Sequence, residues 1–214
     1  MATAVASSVP YNSIYTDDAV YSTSLTAGEV WICKVTASDG TASSSTVSSS
    51  SVTVLSASYT IGYYTVFTTP GTGSAAGGYS LGHTITVSST VSLYQLGERL
   101  RLADSDSIRL ALYTNSGGQP GTLVAYTALT SLSSYAAGSA VDLDVVGGPI
   151  TVTAGTYWLM HNLSGTAYMG YTTTGASGNT VYYNALSSSA AFPSTWGSGS
   201  TYTGQFMNTY MVVR

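Results

Sequence analysis

The chain has 214 residues, of which 44% are hydrophobic and only 7% are charged, and its formal net charge is −4. Five lysine and arginine residues provide no basic stripe for phosphates, so composition argues against nucleic acid and against anionic membranes as partners. The hydrophobic fraction supports a packed core, while a nearly uncharged surface favours association with other copies of the chain.

Residues 1–13 contain neither a basic segment nor a long apolar segment, so they are not predicted to be a signal peptide. No apolar run approaches the roughly 20 residues of a membrane-spanning helix, and membrane insertion is not expected. We expect a mature piece or a protein released without the secretory route, and an extracellular location at a virion or cell surface. Cys33 lies in an apolar stretch, which predicts a buried small hydrophobe rather than a reactive thiol.

The pattern of the chain predicts an all-β fold. Helical periodicity is nearly absent, and β-branched and aromatic residues recur between clusters of Gly, Ser and Asn. Residues 1–56 are expected to form an incomplete Ig-like strand unit, and residues 57–214 an antiparallel, jelly-roll-like β-sandwich. A helical turn is an alternative only in the short stretch 96–106.

The first region reads as a strand, a turn and a strand. Alternating residues from Val30 to Val35 precede an Asp39-Gly40 turn, and a second strand follows with Val52 and Val54 on one face. The region resembles the C-terminal half of the Ig-like or PKD-like repeats of extracellular and viral proteins. The resemblance rests on Gly28, Trp31, Cys33, Val35, Thr36, Asp39, Gly40 and residues 52–54.

This first region is too short for the fold that it resembles. An Ig-like sandwich needs about 100 residues and seven strands, and a two- or three-stranded piece is marginal in water. We therefore expect its apolar face to be covered by the C-terminal region or by another copy.

The second region has about nine predicted strands, which suits a sandwich or jelly roll. In the first hairpin, Ile108, Leu110 and Leu112 are expected to face the core, whereas Arg109, Ala111 and Tyr113 face outward. The predicted strands cover residues 59–67, 83–96, 107–114, 121–129, 140–146, 149–163, 166–173, 179–186 and 204–213.

This hairpin and the stretch 150–165 resemble a β-sandwich module of phage tail fibres, other virion appendages and large secreted surface proteins. The resemblance implies a scaffold and says little about function, because folds host many functions. It rests on Leu96, Gly97, Leu110, Leu112, Tyr113, Gly118, Pro120, Gly121, Leu123, Ala154, Gly155, Tyr157, Trp158 and Leu159.

Catalytic arrangements are poorly supported, and we expect a non-enzymatic protein. Ser80 lies in a G-x-S-x-G pattern with His161 as a conceivable base, but a β pattern follows where a nucleophile elbow needs a helix. Glu29 and Glu98 are the chain's two glutamates, and a glycosidase pair formed from them is not favoured.

No cofactor is expected, and no metal site is assigned. His83 and His161 have no metal-ligand spacing and are predicted to be structural. The aspartate pairs 104/106 and 142/144 leave calcium as an alternative to a solvated polar face.

The chain has a surplus of tyrosine, with 18 residues, and many of these are near its C-terminal end. Tyrosine rings suit recognition of glycans or proteins, although they also serve to cover β surfaces and subunit contacts. The candidate ligand-binding residues are Tyr168, Tyr171, Tyr182, Trp196 and Tyr202.

Three functions follow as hypotheses. The first is a structural or attachment protein of a virion surface, such as a fibre or capsid-decoration subunit. The second is a glycan-binding or adhesive module of a secreted cell-surface protein, with cell-surface glycan as its partner. The third is an extracellular filament subunit that assembles by strand addition to a neighbouring copy.

Overall fold

A computed structural model describes most of the chain, which folds as two compact units, Met1–Ala57 and Ser58–Arg214. All strand pairs are antiparallel, and the described residues contain no helix, which confirms the predicted all-β fold. Hence no described segment forms a helix that is long and apolar enough to cross a membrane. The described residues are 25–64, 78–102, 107–136, 138–164, 168–169, 171–172, 179–187 and 190–214.

The N-terminal unit contains two small sheets of two strands each. Strand β1 pairs with β4 and β2 pairs with β3, so the chain runs out and returns as one irregular hairpin. The predicted Asp39-Gly40 turn lies at its tip, where Gly40 has a φ of +90°. The strands are β1 (Val30–Trp31), β2 (Lys34–Val35), β3 (Val47–Ser48) and β4 (Val52–Thr53).

The C-terminal unit contributes fifteen further strands. They are β5 (Tyr59–Gly62), β6 (Tyr79–Val87), β7 (Val91–Leu102), β8 (Ser107–Ser116), β9 (Gln119–Tyr126), β10 (Thr130–Ser131), β11 (Ala140–Asp144), β12 (Ile150–Val152), β13 (Gly155–Leu163), β14 (Tyr168–Met169), β15 (Tyr171–Thr172), β16 (Thr180–Ala185), β17 (Ser200–Thr203), β18 (Phe206–Met207) and β19 (Thr209–Val213).

Most of these strands belong to two antiparallel sheets. The first sheet has seven strands in the order β10-β8-β13-β6-β16-β17, with β9 also paired to β8. The second sheet has six strands in the order β11-β7-β19-β5, with β12 and β14 also paired to β7. Strands β15 and β18 form a separate pair.

The two sheets pack face to face around one main core, as expected for a β-sandwich. Leu110 and Leu112 of the first sheet and Leu96 and Met211 of the second are fully buried in this core. Successive side chains of β8 and β13 point to opposite faces of the sheet, so they enter the main core and a second cluster on the outer face in turn.

The β8–β9 hairpin agrees with the sequence pattern. Ile108, Leu110 and Leu112 are fully buried, as predicted. Gly117 and Gly118 form the turn with φ of +59° and +82°, a conformation that glycine adopts without steric cost.

The structure divides a strand that the pattern predicted as continuous, excludes the helical alternative where the chain is described, and covers two side chains that face outward as predicted. The stretch 83–96 is not one strand, because β6 ends at Val87 and β7 begins at Val91. The possible helical turn at 96–106 is excluded for residues 96–102, which continue β7. Ala111 and Tyr113 do face away from the core, but both are buried rather than exposed.

Candidate functional site

A buried polar cluster crosses the interior of the sandwich. Nδ1 of His161, on β13 of the first sheet, lies 2.9 Å from Oε2 of Glu98, on β7 of the second. Both side chains have no exposed surface, so this contact joins the two sheets inside the apolar core. Breaking such a buried pair by removing one partner costs about 3–5 kcal/mol.

The second histidine of the chain lies beside this pair. Nδ1 of His83, on β6, is 3.4 Å from Oγ1 of Thr209, on β19, which makes another polar contact between the sheets. Burial, and then repulsion by His161, lowers the pKa of His83 from 6.5 to about 3, so this ring is neutral at neutral pH. The cluster links the two sheets through polar contacts, and its buried side chains present no group to a substrate in solvent.

The Ser80 arrangement does not form a nucleophile and base. Ser80 lies within β6 rather than on a turn, and its hydroxyl donates to the backbone carbonyl of His161 over 2.7 Å. The imidazole of His161 instead contacts Glu98. Glu98 is fully buried, while Glu29 lies in the N-terminal unit and is exposed.

The aspartates of β11 share one exposed face, as the sequence predicts. Asp142 accepts a hydrogen bond from the hydroxyl of Tyr210 over 2.7 Å, and Asp144 accepts one from Gln95 over 2.9 Å. Within the described residues, no group of three or more His, Cys, Asp or Glu side chains is placed to hold a metal ion. The pair 104/106 lies outside the described residues.

The outer face of the first sheet carries a second hydrophobic cluster. Trp158 and Tyr182 contact each other there, with ring centroids 6.0 Å apart, and the ring of Trp196 lies 6.0 Å from that of Tyr182. The buried members of this outer cluster are Ala111, Tyr113, Trp158, Met160, Tyr182 and Phe192.

Residues 190–199, called the strap below, cross this outer face and cover the cluster. The hydroxyl of Tyr113 donates to the carbonyl of Pro193 over 2.7 Å, and that of Tyr182 donates to the carbonyl of Gly197 over 2.6 Å. Further carbonyls of the strap accept hydrogen bonds from the Arg109 guanidinium, the Leu123 amide and the Asn184 side chain. Side chains of the strands thus hold the strap in place.

The strap changes the interpretation of two candidate residues. Tyr182 has no exposed surface, which leaves no ring face for a ligand. Trp196 is partly buried and packs against Tyr113, Tyr182 and Phe192. These two residues lie together as a late-chain aromatic group, but their contacts are those of a packed cluster.

Tyr202 belongs to a different surface. With Tyr79 and Tyr183 it forms a diagonal row, called the tyrosine row below, on the inner face of the first sheet towards its β17 end. Ring centroids are 6.2 Å apart for Tyr79 and Tyr183, and 5.9 Å apart for Tyr183 and Tyr202. Tyr79 and Tyr183 were not among the candidate residues, although the period-2 alternation of a strand shows that Tyr183 faces the opposite side from Tyr182.

The remaining candidates lie on short strands. Tyr168 belongs to β14, which pairs with β7, and Tyr171 belongs to β15, which pairs with β18. Their side chains are outside the described part of the structure.

The N-terminal hairpin presents apolar side chains to solvent. No described residue of this unit is buried, and only Leu25, Trp31 and Val54 are partly so. Cys33 is exposed, so the prediction of a buried thiol is wrong: within the described part of this unit, the short strands on either side of it bury no side chain. The most exposed apolar residues are Val30 at 61%, Val35 at 60%, Val47 at 68%, Val52 at 66% and Leu55 at 60%.

Local hydrogen bonds fix the conformation of this hairpin at its turn and at the start of its first strand. The Asp39 carboxylate accepts bonds from the amides of Thr41 and Ala42 over 2.9 and 2.8 Å. These bonds, that to Ala42 first, lower the pKa of Asp39. Oε2 of Glu29 accepts bonds from the Thr26 amide and the Trp31 indole.

Comparisons with known proteins give no relative for this chain: no protein-family model, no curated protein and no solved structure matches it.

Proposed function

We propose that this chain is a non-enzymatic structural or attachment subunit of a virion surface, such as a fibre or capsid-decoration subunit. In this role the sandwich is a rigid body and the N-terminal hairpin is a contact surface for other copies of the chain.

The observation that carries the proposal is the exposure of apolar side chains on a hairpin in which no described residue is buried. Five aliphatic side chains of this hairpin are each at least 60% exposed. Burying a valine or leucine side chain contributes about 1.5–3 kcal/mol, so a second copy that covered the paired Val35 and Val47, which share one face, would gain free energy. Exposed apolar strands of this kind mark association surfaces.

Charge and resemblance support the same role. With 7% charged residues, two copies repel each other weakly at close range. The sequence resemblance to fibre and appendage modules supports a role in assembly outside the cell. These two arguments favour a virion surface over a soluble, monomeric binder.

Size-exclusion chromatography with light scattering on the full chain tests the proposal. A closed oligomer is expected over a wide range of concentrations. The double variant Val47→Ser, Val52→Ser should shift it towards monomer, because both side chains lose their apolar contact.

Leu129→Ser is the matched control, because Leu129 is 45% exposed but belongs to the C-terminal unit. This variant should keep the oligomer. A wild-type chain that stays monomeric, or a hairpin variant that assembles like the wild type, contradicts the proposal.

A filament subunit that assembles by strand addition is the second candidate. Among the described residues, β5 pairs with β19 alone and β17 with β16 alone, so each ends its sheet. Such edges can accept a strand from a neighbour. Open-ended polymers in the same light-scattering experiment would favour this candidate over a closed fibre or decoration subunit.

A further inference from the structure

The tyrosine row lies where the inner face of the first sheet is only partly covered. Tyr79 is 47% exposed, and Tyr183 and Tyr202 are partly exposed. Inward side chains farther into the same sheet, such as Leu110 and Leu159, are fully buried. The second sheet therefore leaves aromatic surface accessible at this end of the sandwich.

The row is fixed by backbone pairing. Tyr79 pairs with Ala185 and Tyr183 with Leu81, so the two tyrosines occupy diagonal positions on neighbouring strands. Tyr183 pairs with Ser200 and Tyr202 with Val181, which repeats the diagonal step. Three paired strands thus hold the rings in place before any ligand arrives, which lowers the entropy cost of binding.

Successive rings are tilted rather than coplanar. The interplanar angle is 62° between Tyr79 and Tyr183, and 51° between Tyr183 and Tyr202. A row of this shape offers separate ring surfaces to successive units of an extended ligand. Tyrosine is suited to this role because its ring is large, rigid and amphipathic.

The three strands that carry the row contain no charged residue. No Asp, Glu, Lys or Arg occurs between Asp39 and Glu98 or between Asp144 and Arg214, and these two stretches include β6, β16 and β17. The available polar groups are hydroxyls and amides, such as Gln205, whose Oε1 accepts a bond from the Tyr202 hydroxyl over 3.1 Å. A charged ligand would lose hydration here without gaining a counter-charge, whereas neutral hydroxyls can exchange hydrogen bonds.

We propose that Tyr79, Tyr183 and Tyr202 form a binding platform for a neutral oligosaccharide chain, with sugar rings packed against successive tyrosines. This site lies apart from the strap cluster that holds Tyr182 and Trp196. It goes beyond the assembly role and does not depend on it, because the row is built within the C-terminal unit of one chain.

An array of immobilised oligosaccharides, probed with the full chain, tests the proposal. The array should contain linear neutral chains of glucose, mannose, galactose and N-acetylglucosamine, together with sialylated and sulfated chains. Binding to neutral chains is expected, without gain from added charge. In calorimetry with the best neutral chain, Tyr79→Ala and Tyr183→Ala should each weaken binding about tenfold.

Tyr126→Ala is the matched control, because Tyr126 lies in the same sheet and is 42% exposed, yet lies outside the row. It should bind like the wild type, and Tyr79→Phe should retain binding because the ring remains. Thermal melting checks that each variant folds. If Tyr183→Ala unfolds, the affinity of Tyr79→Ala tests the proposal instead, because Tyr79 is half exposed.

Three results would overturn the proposal. They are silence of the array towards every neutral chain, a clear preference for sialylated or sulfated chains, and unchanged affinity in Tyr79→Ala. Each can be observed whether the chain is monomeric or assembled, so failure of this site is distinct from failure of the assembly proposal.

Discussion

The two units of the chain use similar residues but differ in what their strands bury. The N-terminal hairpin has four two-residue strands, and the valines of those strands remain exposed. The C-terminal unit pairs long strands into two sheets, so that leucines of both sheets are fully buried between them. Alternation of apolar and polar residues creates a face, but only a second layer makes that face a core.

The largest expected effect contrasts a buried with an exposed side chain. Trp158→Ala should destabilise the chain by about 4 kcal/mol, because Trp158 is 1% exposed and its indole donates to Asn115 over 2.9 Å. Val52→Ala in the hairpin should cost less than about 0.5 kcal/mol in dilute monomer. Urea unfolding measures both, and equal losses would refute the contrast between the units.

The second effect is an acid sensitivity of the sandwich. Because folding lowers the pKa of His83 to about 3, the unfolded chain binds a proton below pH 6.5 that the folded chain does not bind. The free energy of unfolding is therefore at its full value above pH 6.5, and it decreases as the pH falls below that value. Relative to His83→Gln, the wild type should lose about 1.4 kcal/mol per pH unit between about pH 6.5 and 4.

Urea unfolding of the wild type and His83→Gln at a series of pH values checks this effect. The difference between the two curves isolates His83 from the other titrating groups. Parallel curves would show that burial of His83 does not control the acid response.

The third effect tests the packing of the strap. A Cβ at Gly199 would lie 2.2 Å from the Tyr182 ring, so Gly199→Ala should cost about 1–3 kcal/mol through overpacking. Gly197→Ala is the control, because no atom lies within 4 Å of a Cβ there. The melting temperature of Gly199→Ala should be lower than that of Gly197→Ala. Equal melting temperatures would mean that the strap shifts to accommodate the added methyl group at little cost.

The smallest effect belongs to the hairpin tip. The pKa of Asp39 should lie below that of an ordinary aspartate, because two backbone amides donate to its carboxylate. Carboxyl NMR titration measures it, and high salt should leave the shift largely intact because hydrogen bonds cause it. Asp39→Ala should leave the unfolding of the sandwich unchanged, and a change there would contradict a purely local role for these bonds.

The sequence pattern predicted which residues form strands better than it predicted which strand faces are covered. Alternation correctly placed Leu110 and Leu112 in the core, and paired glycines marked the β8–β9 turn. The break between Val87 and Val91 was missed, because Ser88-Ser89-Thr90 contains neither Gly nor Pro. In that stretch the tertiary pairing of two different sheets decides where the strand ends.

The candidate site was harder to predict because it depends on contacts that are distant in sequence. Alternation shows that Tyr182 and Tyr183 face opposite sides, but not that the strap covers Tyr182. The Glu98–His161 contact joins residues 63 positions apart, and no local pattern signals it. Composition did indicate the uncharged surface on which the tyrosine row lies.

The anchoring of the strap also bears on how the chain meets proteases. An irregular segment that contains Trp196-Gly197 would ordinarily be cleaved after the tryptophan by enzymes of chymotryptic specificity, which require an extended, detachable backbone. Five carbonyls between Ala190 and Ser198 are bound by the strands beneath, so this backbone is not free to enter a protease cleft. Cleavage after Trp196 would therefore mark the moment at which the sheet loses its outer cover.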